Sequence, residues 1–155
     1  NKVCLCQTPQ VPLKSYEDLS IFKIYCLDIG LLRVLSELSP EAYFSDSPAF
    51  KEYKGALAEN YILQSLLANG IKCSRYWASG NKAEVEFIVQ HGMDVIPIEV
   101  KSGTSVTGKS LTEYNKKYSP SMRIRFSMLN LKRDDTLLNI PLFLADKVKY
   151  LCGMI

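Results

Sequence analysis

A chain of 155 residues, 47% of them apolar, has the length of one domain with or without a short attached piece, and enough apolar side chains to fill a core. Nineteen Lys plus Arg against 16 Asp plus Glu give a net charge of +3, which permits contact with an anionic polymer without requiring it. Five scattered cysteines exclude a disulfide framework or a zinc cluster, and a single histidine, His91 beside Gly92, excludes a His-based zinc hydrolase or a Ser/His/Asp triad.

No charged-then-apolar leader opens the sequence, and Lys23, Asp28 and Arg33 interrupt the longest apolar stretches, so a cytoplasmic location without membrane contact is expected. The start at Asn1 rather than Met is what a piece of a longer chain, or a processed one, would show. VPLKSYEDLS reads as a loop or connector. FKIYCLD reads as a short strand ending at Asp28, which can cap a helix IGLLRVLSEL closed by Ser39-Pro40. SPEAYFSDSP is a linker, so residues 1–46 are expected to be an N-terminal connecting segment and 47–155 the main domain.

Ser47 as cap, Pro48 at the first helical position and Asn69-Gly70 as the stop predict one long helix over 48–68. On it Ala56, Glu59, Leu63 and Leu66 recur at spacings of three and four, which sets a carboxylate on an apolar stripe. Either Glu59 is paired with something buried, such as a cation or metal, or the stripe is narrower and Glu59 lies at its edge.

AEVEFIV and DVIPIEVK are β-rich runs separated by Gln90-His91-Gly92-Met93. With Gly92-Met93 as a two-residue hairpin loop, Glu86 faces Glu99. Strand alternation then places Glu84, Glu86, Glu99 and Lys101 on one face, and Val85, Phe87, Val89, Ile96, Ile98 and Val100 on the other. Opposed carboxylates repel unless a cation lies between them. A hard ion such as Mg²⁺ would relieve that repulsion and activate a water for attack on a phosphodiester, with Lys101 placing the water or offsetting charge. The alternative is a solvated polar face in which Lys101 neutralises its neighbours.

SLTEYNKKY predicts a short helix burying Leu111, Tyr114 and Tyr118 and exposing Lys116 and Lys117. In the strand MRIRFSML, Arg123 and Arg125 project from one face, so these four cations form either a phosphate-backbone track or an ordinary solvated surface. Tyr76 and Trp77 either stack on a base or pack on the sheet.

Glu59 on a helix, Glu86 on a strand and Glu99-x-Lys101 on the next strand, in that order, resemble the motif of the PD-(D/E)xK nuclease superfamily. More closely, GALAENYILQSLLANG, YWASGNKAEVEFIV, IPIEVKSG and SLTEYNKKYSP resemble a domain-of-unknown-function family found at the C-terminus of prokaryotic AAA-type ATPases. VPLKSYEDLSIFKIYCLDIGLL looks like the segment joining that ATPase and its winged-helix region to the domain. The resemblance implies an α/β, restriction-endonuclease-like fold with a mixed sheet flanked by helices and a short N-terminal appendage. It also implies Mg²⁺ (or Mn²⁺) held by Glu59, Glu86 and Glu99, catalysis assisted by Lys101, nucleic acid as substrate, and the ATPase module of the same polypeptide as partner. The family more often has Asp where this chain has Glu86, and the superfamily includes members without cleavage activity, for which a nucleic-acid- or protein-binding regulatory role is the alternative.

GTSVTGKS at 103–110 matches the P-loop pattern. A nucleotide-binding fold needs several further strand and helix units and an acidic Mg²⁺ partner, whereas only residues 111–155 follow and their one candidate is Asp146 after IPLFLA. No nucleotide is therefore expected here.

Overall fold

The computed structural model of the chain describes residues 1–37, 39, 48–80, 83–104 and 107–153. The Ser47 cap, most of the linker over 39–48, and Ser105 and Val106 of the P-loop-like stretch lie outside them. The architecture is mixed α/β. One sheet has the order β2-β1-β3-β4, from β1 (Lys2–Leu5), β2 (Asp18–Ile24), β3 (Arg75–Ala78) and β4 (Glu84–Val85). The other has the order β5-β6-β7-β9-β8, from β5 (Phe87–His91), β6 (Asp94–Val100), β7 (Arg123–Ser127), β8 (Lys132–Asp134) and β9 (Leu137–Pro141). The helices among the described residues are α1 (Ile29–Leu35), α2 (Pro48–Ala68), α3 (Lys109–Tyr118) and α4 (Val148–Cys152).

The β5–β6 hairpin has the expected register, with His91 opposite Asp94 and Phe87 opposite Ile98 around a Gly92 at φ +61°. From β6 the chain crosses over through α3 to the parallel strand β7, which pairs in parallel with β9. α2 spans 48–68 as its proline start and Asn-Gly stop require, and Gly70 takes the left-handed conformation just past its end. Asp28 caps α1, its carboxylate accepting from Leu31 N at 2.8 Å.

Both faces of the hairpin are covered. Phe87, Val89, Ile96, Ile98 and Val100 pack with Ile62, Leu63 and Leu66 of α2, while Val85, Ile88 and Val95 pack with Trp77 and with Leu111 and Tyr114 of α3. Val85 thus lies with Ile88 and not with Phe87, which corrects the expected alternation. Glu86 stands alone between β4 and β5, and the phase of the strand changes there as it passes from one sheet to the other.

Residues 1–28 share this core. β1 pairs in parallel with β3, Leu5 opposite Tyr76, and antiparallel with β2. Val3 and Leu5 are buried with the α2 cluster, and Cys6 and Leu13 with the α3 cluster. The stretch read as a connector therefore contains a 3₁₀ turn at Leu13–Tyr16 and the first residues of β2, and the strand expected at 22–28 lies earlier, at Asp18–Ile24. β2 is a sheet edge that leaves Leu19, Ile21, Phe22 and Ile24 exposed, continued by Leu27 and by Leu31, Val34 and Leu35 of α1. No helix among the described residues is long and apolar enough to cross a membrane.

A chain starting at residue 47 should fail to unfold cooperatively in thermal denaturation, because it leaves the edge of β3 unpaired and uncovers Tyr76, Phe87 and Trp77. A sharp transition near that of the full chain would show that β1 is dispensable.

Candidate active site

The break in the strand gives Glu86 its address. Relieved of ladder pairing, its carboxylate turns inward, where Oε2 accepts from Val100 N at 3.0 Å. The β5–β6 ladder ends at Phe87 opposite Ile98, so Glu86 is not paired within it to Glu99. Burial pushes its carboxyl up to about 7, against the downward pull of the Lys101 ammonium and of backbone N–H groups, with the nearby Glu59 carboxylate adding to the rise.

Glu99, on β6, is 1% exposed. Its Oε2 accepts from Arg125 Nε at 2.8 Å, across the β6–β7 pairing that sets the two residues opposite each other. Its Oε1 has no hydrogen-bond partner among the described residues. Lys101 follows β6 and brings its Nζ to 3.6 Å from Glu86 Oε1 and 3.7 Å from Glu99 Oε1. Glu86, Glu99 and Lys101 therefore meet at the end of β6 beside the strand break.

Glu59 lies at the rim of this group. Ile62, Leu63 and Leu66 form the buried face of α2, while Ala56 is exposed and Glu59 half-buried, so the apolar stripe is the narrower of the two readings. Glu59 accepts from the Tyr25 hydroxyl at 2.9 Å. Glu84 is exposed on β4 and paired with Lys23 of β2. The sequence did not point to Lys23 or Tyr25, which sit two apart near the end of β2 in a segment without a catalytic pattern.

The four cations of the expected phosphate track fall in different settings. Lys116 and Lys117 are exposed on the last turn of α3, Lys116 pairing with Glu113 and Lys117 lying over the Tyr118 ring. Arg123 is half-buried and donates to Thr136 Oγ1 at 3.0 Å. Arg125 corrects the pattern: it is 9% exposed and its guanidinium is committed to Glu99, because α3 covers the neighbouring sheet face. Gly108 packs directly on that guanidinium, and a Cβ there would lie 2.2 Å from Arg125 Nη2. At φ +58° it also makes the left-handed entry to α3. The second glycine of the P-loop-like string thus has a local structural use. Trp77 and Tyr76 are both buried, and Trp77 packs edge-on to Tyr114 at 5.1 Å between ring centres.

The family model described as "Domain of unknown function (DUF4143)" matches residues 54–143. The chain belongs to this family. None of the curated proteins and none of the solved structures matches it. The matched span of the DUF4143 domain contains Glu59, Glu86, Glu99, Lys101 and Arg125, and leaves Lys23 and Tyr25 outside.

No three His, Cys, Asp or Glu side chains among the described residues are gathered closely enough to hold one metal ion. Two carboxylates suffice for an ion such as Mg²⁺, which keeps several of its waters, and the buried Oε1 of Glu99, which accepts no hydrogen bond among the described residues, fits that donor chemistry.

Glu86 also sets a pH dependence. Its folded carboxyl titrates near 7 against an ordinary value of 4.5, so the folded chain holds a proton that the unfolded chain releases as pH rises between these values. Stability from this group falls across that window and is level above it. In the presence of a chelator, Glu86→Gln should be more stable than the native chain at pH 8 by up to about 3 kcal/mol, with the gap closing near pH 5. Urea unfolding at both pH values reads this, and a gap that does not depend on pH would contradict it. Gly108→Ala should cost more than ~1 kcal/mol in the same assay, since it combines strain at positive φ with displacement of Arg125.

Proposed function

We propose that this DUF4143 domain is a phosphodiester hydrolase of the PD-(D/E)xK, restriction-endonuclease-like type, dependent on Mg²⁺ or Mn²⁺ and acting on nucleic acid. In this reading it forms the C-terminal part of an AAA-type ATPase polypeptide. The observation that carries the proposal is the meeting of Glu86, Glu99 and Lys101 at the strand break, with one buried Glu99 oxygen that accepts no hydrogen bond among the described residues. Two carboxyl groups held out of water beside each other are costly to ionise, and such costs concentrate at functional sites.

Glu86 and Glu99 would hold the ion, and Glu59 adds negative potential at the rim. The bound ion supplies a lowered pKa for an attacking water and offsets charge on the phosphate. The chain's own residues do the rest. Arg125 fixes the Glu99 carboxylate by gripping Oε2, which leaves Oε1 facing Lys101. Val100 N fixes Glu86 in the same way. The Lys101 ammonium, about one-third exposed, can turn from the two carboxylates toward a phosphate oxygen and stabilise the charge that builds there.

A second reading, a binding or regulatory module without cleavage, is favoured by two observations. Protein cations already pair with the buried carboxylates and with Glu84, and β2 with α1 presents an exposed apolar edge suited to a protein partner. Cleavage assays on single- and double-stranded DNA and RNA with Mg²⁺ or Mn²⁺ separate the two. Under the hydrolase reading Glu99→Gln and Lys101→Ala should each lower the rate at least ~100-fold while the chain stays folded. Salt-dependent nucleic-acid binding without metal-dependent cleavage would favour the module.

A further inference from the structure

The polar face of α2 is occupied by the N-terminal segment. Three successive side chains of that face hold residues 25–29: Glu59 accepts from the Tyr25 hydroxyl at 2.9 Å, Asn60 Oδ1 from Cys26 N at 2.8 Å, and Gln64 Oε1 from Ile29 N at 3.0 Å. Asn1 ties the same segment from the other side, its amino group donating to Tyr25 O and its carbonyl accepting from Tyr25 N. Tyr25 is 8% exposed, and its ring lies 5.6 Å, centre to centre, from that of Phe87, the residue after Glu86. Two residues earlier, Lys23 pairs with Glu84, on the other side of Glu86. Lys23, Tyr25, Glu59 and Asn60 line a common cavity of about 250 Å³.

We propose that Tyr25 is a positioning residue of the carboxylate site: its hydroxyl holds Glu59 beside Glu86 while its ring fixes the strand break through Phe87, so residues 18–29 complete the site. The proposal rests on the metal-dependent reading above. A merely structural tyrosine would act through its buried ring, which phenylalanine preserves; a positioning tyrosine acts through the hydroxyl, which phenylalanine lacks. The hydroxyl is the one hydrogen-bonding group of the Tyr25 side chain, and its partner among the described residues is a carboxylate at the rim of the proposed site.

The test is Mn²⁺ binding to the full 155-residue chain, followed by electron paramagnetic resonance, for the native protein, Tyr25→Phe, Glu59→Gln and the double variant, each checked for thermal stability. The expected result is a dissociation constant raised about threefold to tenfold in Tyr25→Phe at nearly unchanged melting temperature. The double variant should be no weaker than Glu59→Gln alone, since the hydroxyl acts through that carboxylate. Native-like affinity in Tyr25→Phe, or losses that multiply in the double variant, would overturn the positioning role while leaving the site itself standing. Absence of Mn²⁺ binding to the native chain, or binding undisturbed by Glu86→Gln and Glu99→Gln, would remove the metal reading and this proposal with it.

Discussion

The single-residue break at Glu86 is the constraint from which the rest of the site follows. β4 belongs to one sheet and β5 to the other, and only Glu86 separates them. A regular strand would continue its alternation and carry Glu86 to a position opposite Glu99, with two buried carboxylates in direct repulsion. The break instead rotates the side chain onto the Val100 N–H, and it shifts Val85 into the cluster formed with α3. One local irregularity thereby joins two sheets, feeds two cores and lowers the cost of a buried acid.

That cost is reduced but not removed. Glu86 and Glu99 are both buried, and the cations nearest them differ in character. Arg125 grips Glu99 through a short hydrogen bond from a buried guanidinium, so it is a fixed part of the framework. Lys101 stays at 3.6 and 3.7 Å from its two carboxylates on a partly exposed, flexible stem, so its ammonium is the more easily exchanged of the two. A structural ion-pair network gains most when both partners are rigid and every polar atom is satisfied. Here the flexible cation and the Glu99 oxygen that accepts no hydrogen bond among the described residues occur at the same point, so this corner of the network is held by charge alone.

Much of the hairpin was legible because its signals are local: a Gly-containing turn and strict alternation define register without knowledge of the remaining chain. The same holds for the ends of α2 and for the Asp28 cap. β1 was not legible, since KVCL has neither alternation nor a turn to anchor it, and its parallel partner lies some seventy positions away in Arg75 and Tyr76. Arg125 shows a different limit. Alternation correctly places it opposite the core residues Ile124 and Phe126, but period alone does not say whether a helix covers that second face. The ambiguity at Glu59 had the same origin: its half-burial depends on residues 25–29, which no helical spacing can reveal.

The position of that segment ties the rim of the site to the edge of a sheet. β2 has a strand partner on one side only, β1, and most of its apolar side chains are exposed. The residues immediately after it carry the contacts to Glu59, Asn60 and Gln64. A force or a partner acting on the exposed edge therefore meets, within a few residues, the hydrogen bonds that set the rim of the carboxylate site. The intervening path is short and made of backbone pairing and three side-chain contacts. Coupling of this kind needs no change in the buried pair of Glu99 and Arg125, which leaves the framework intact while the rim alone is altered.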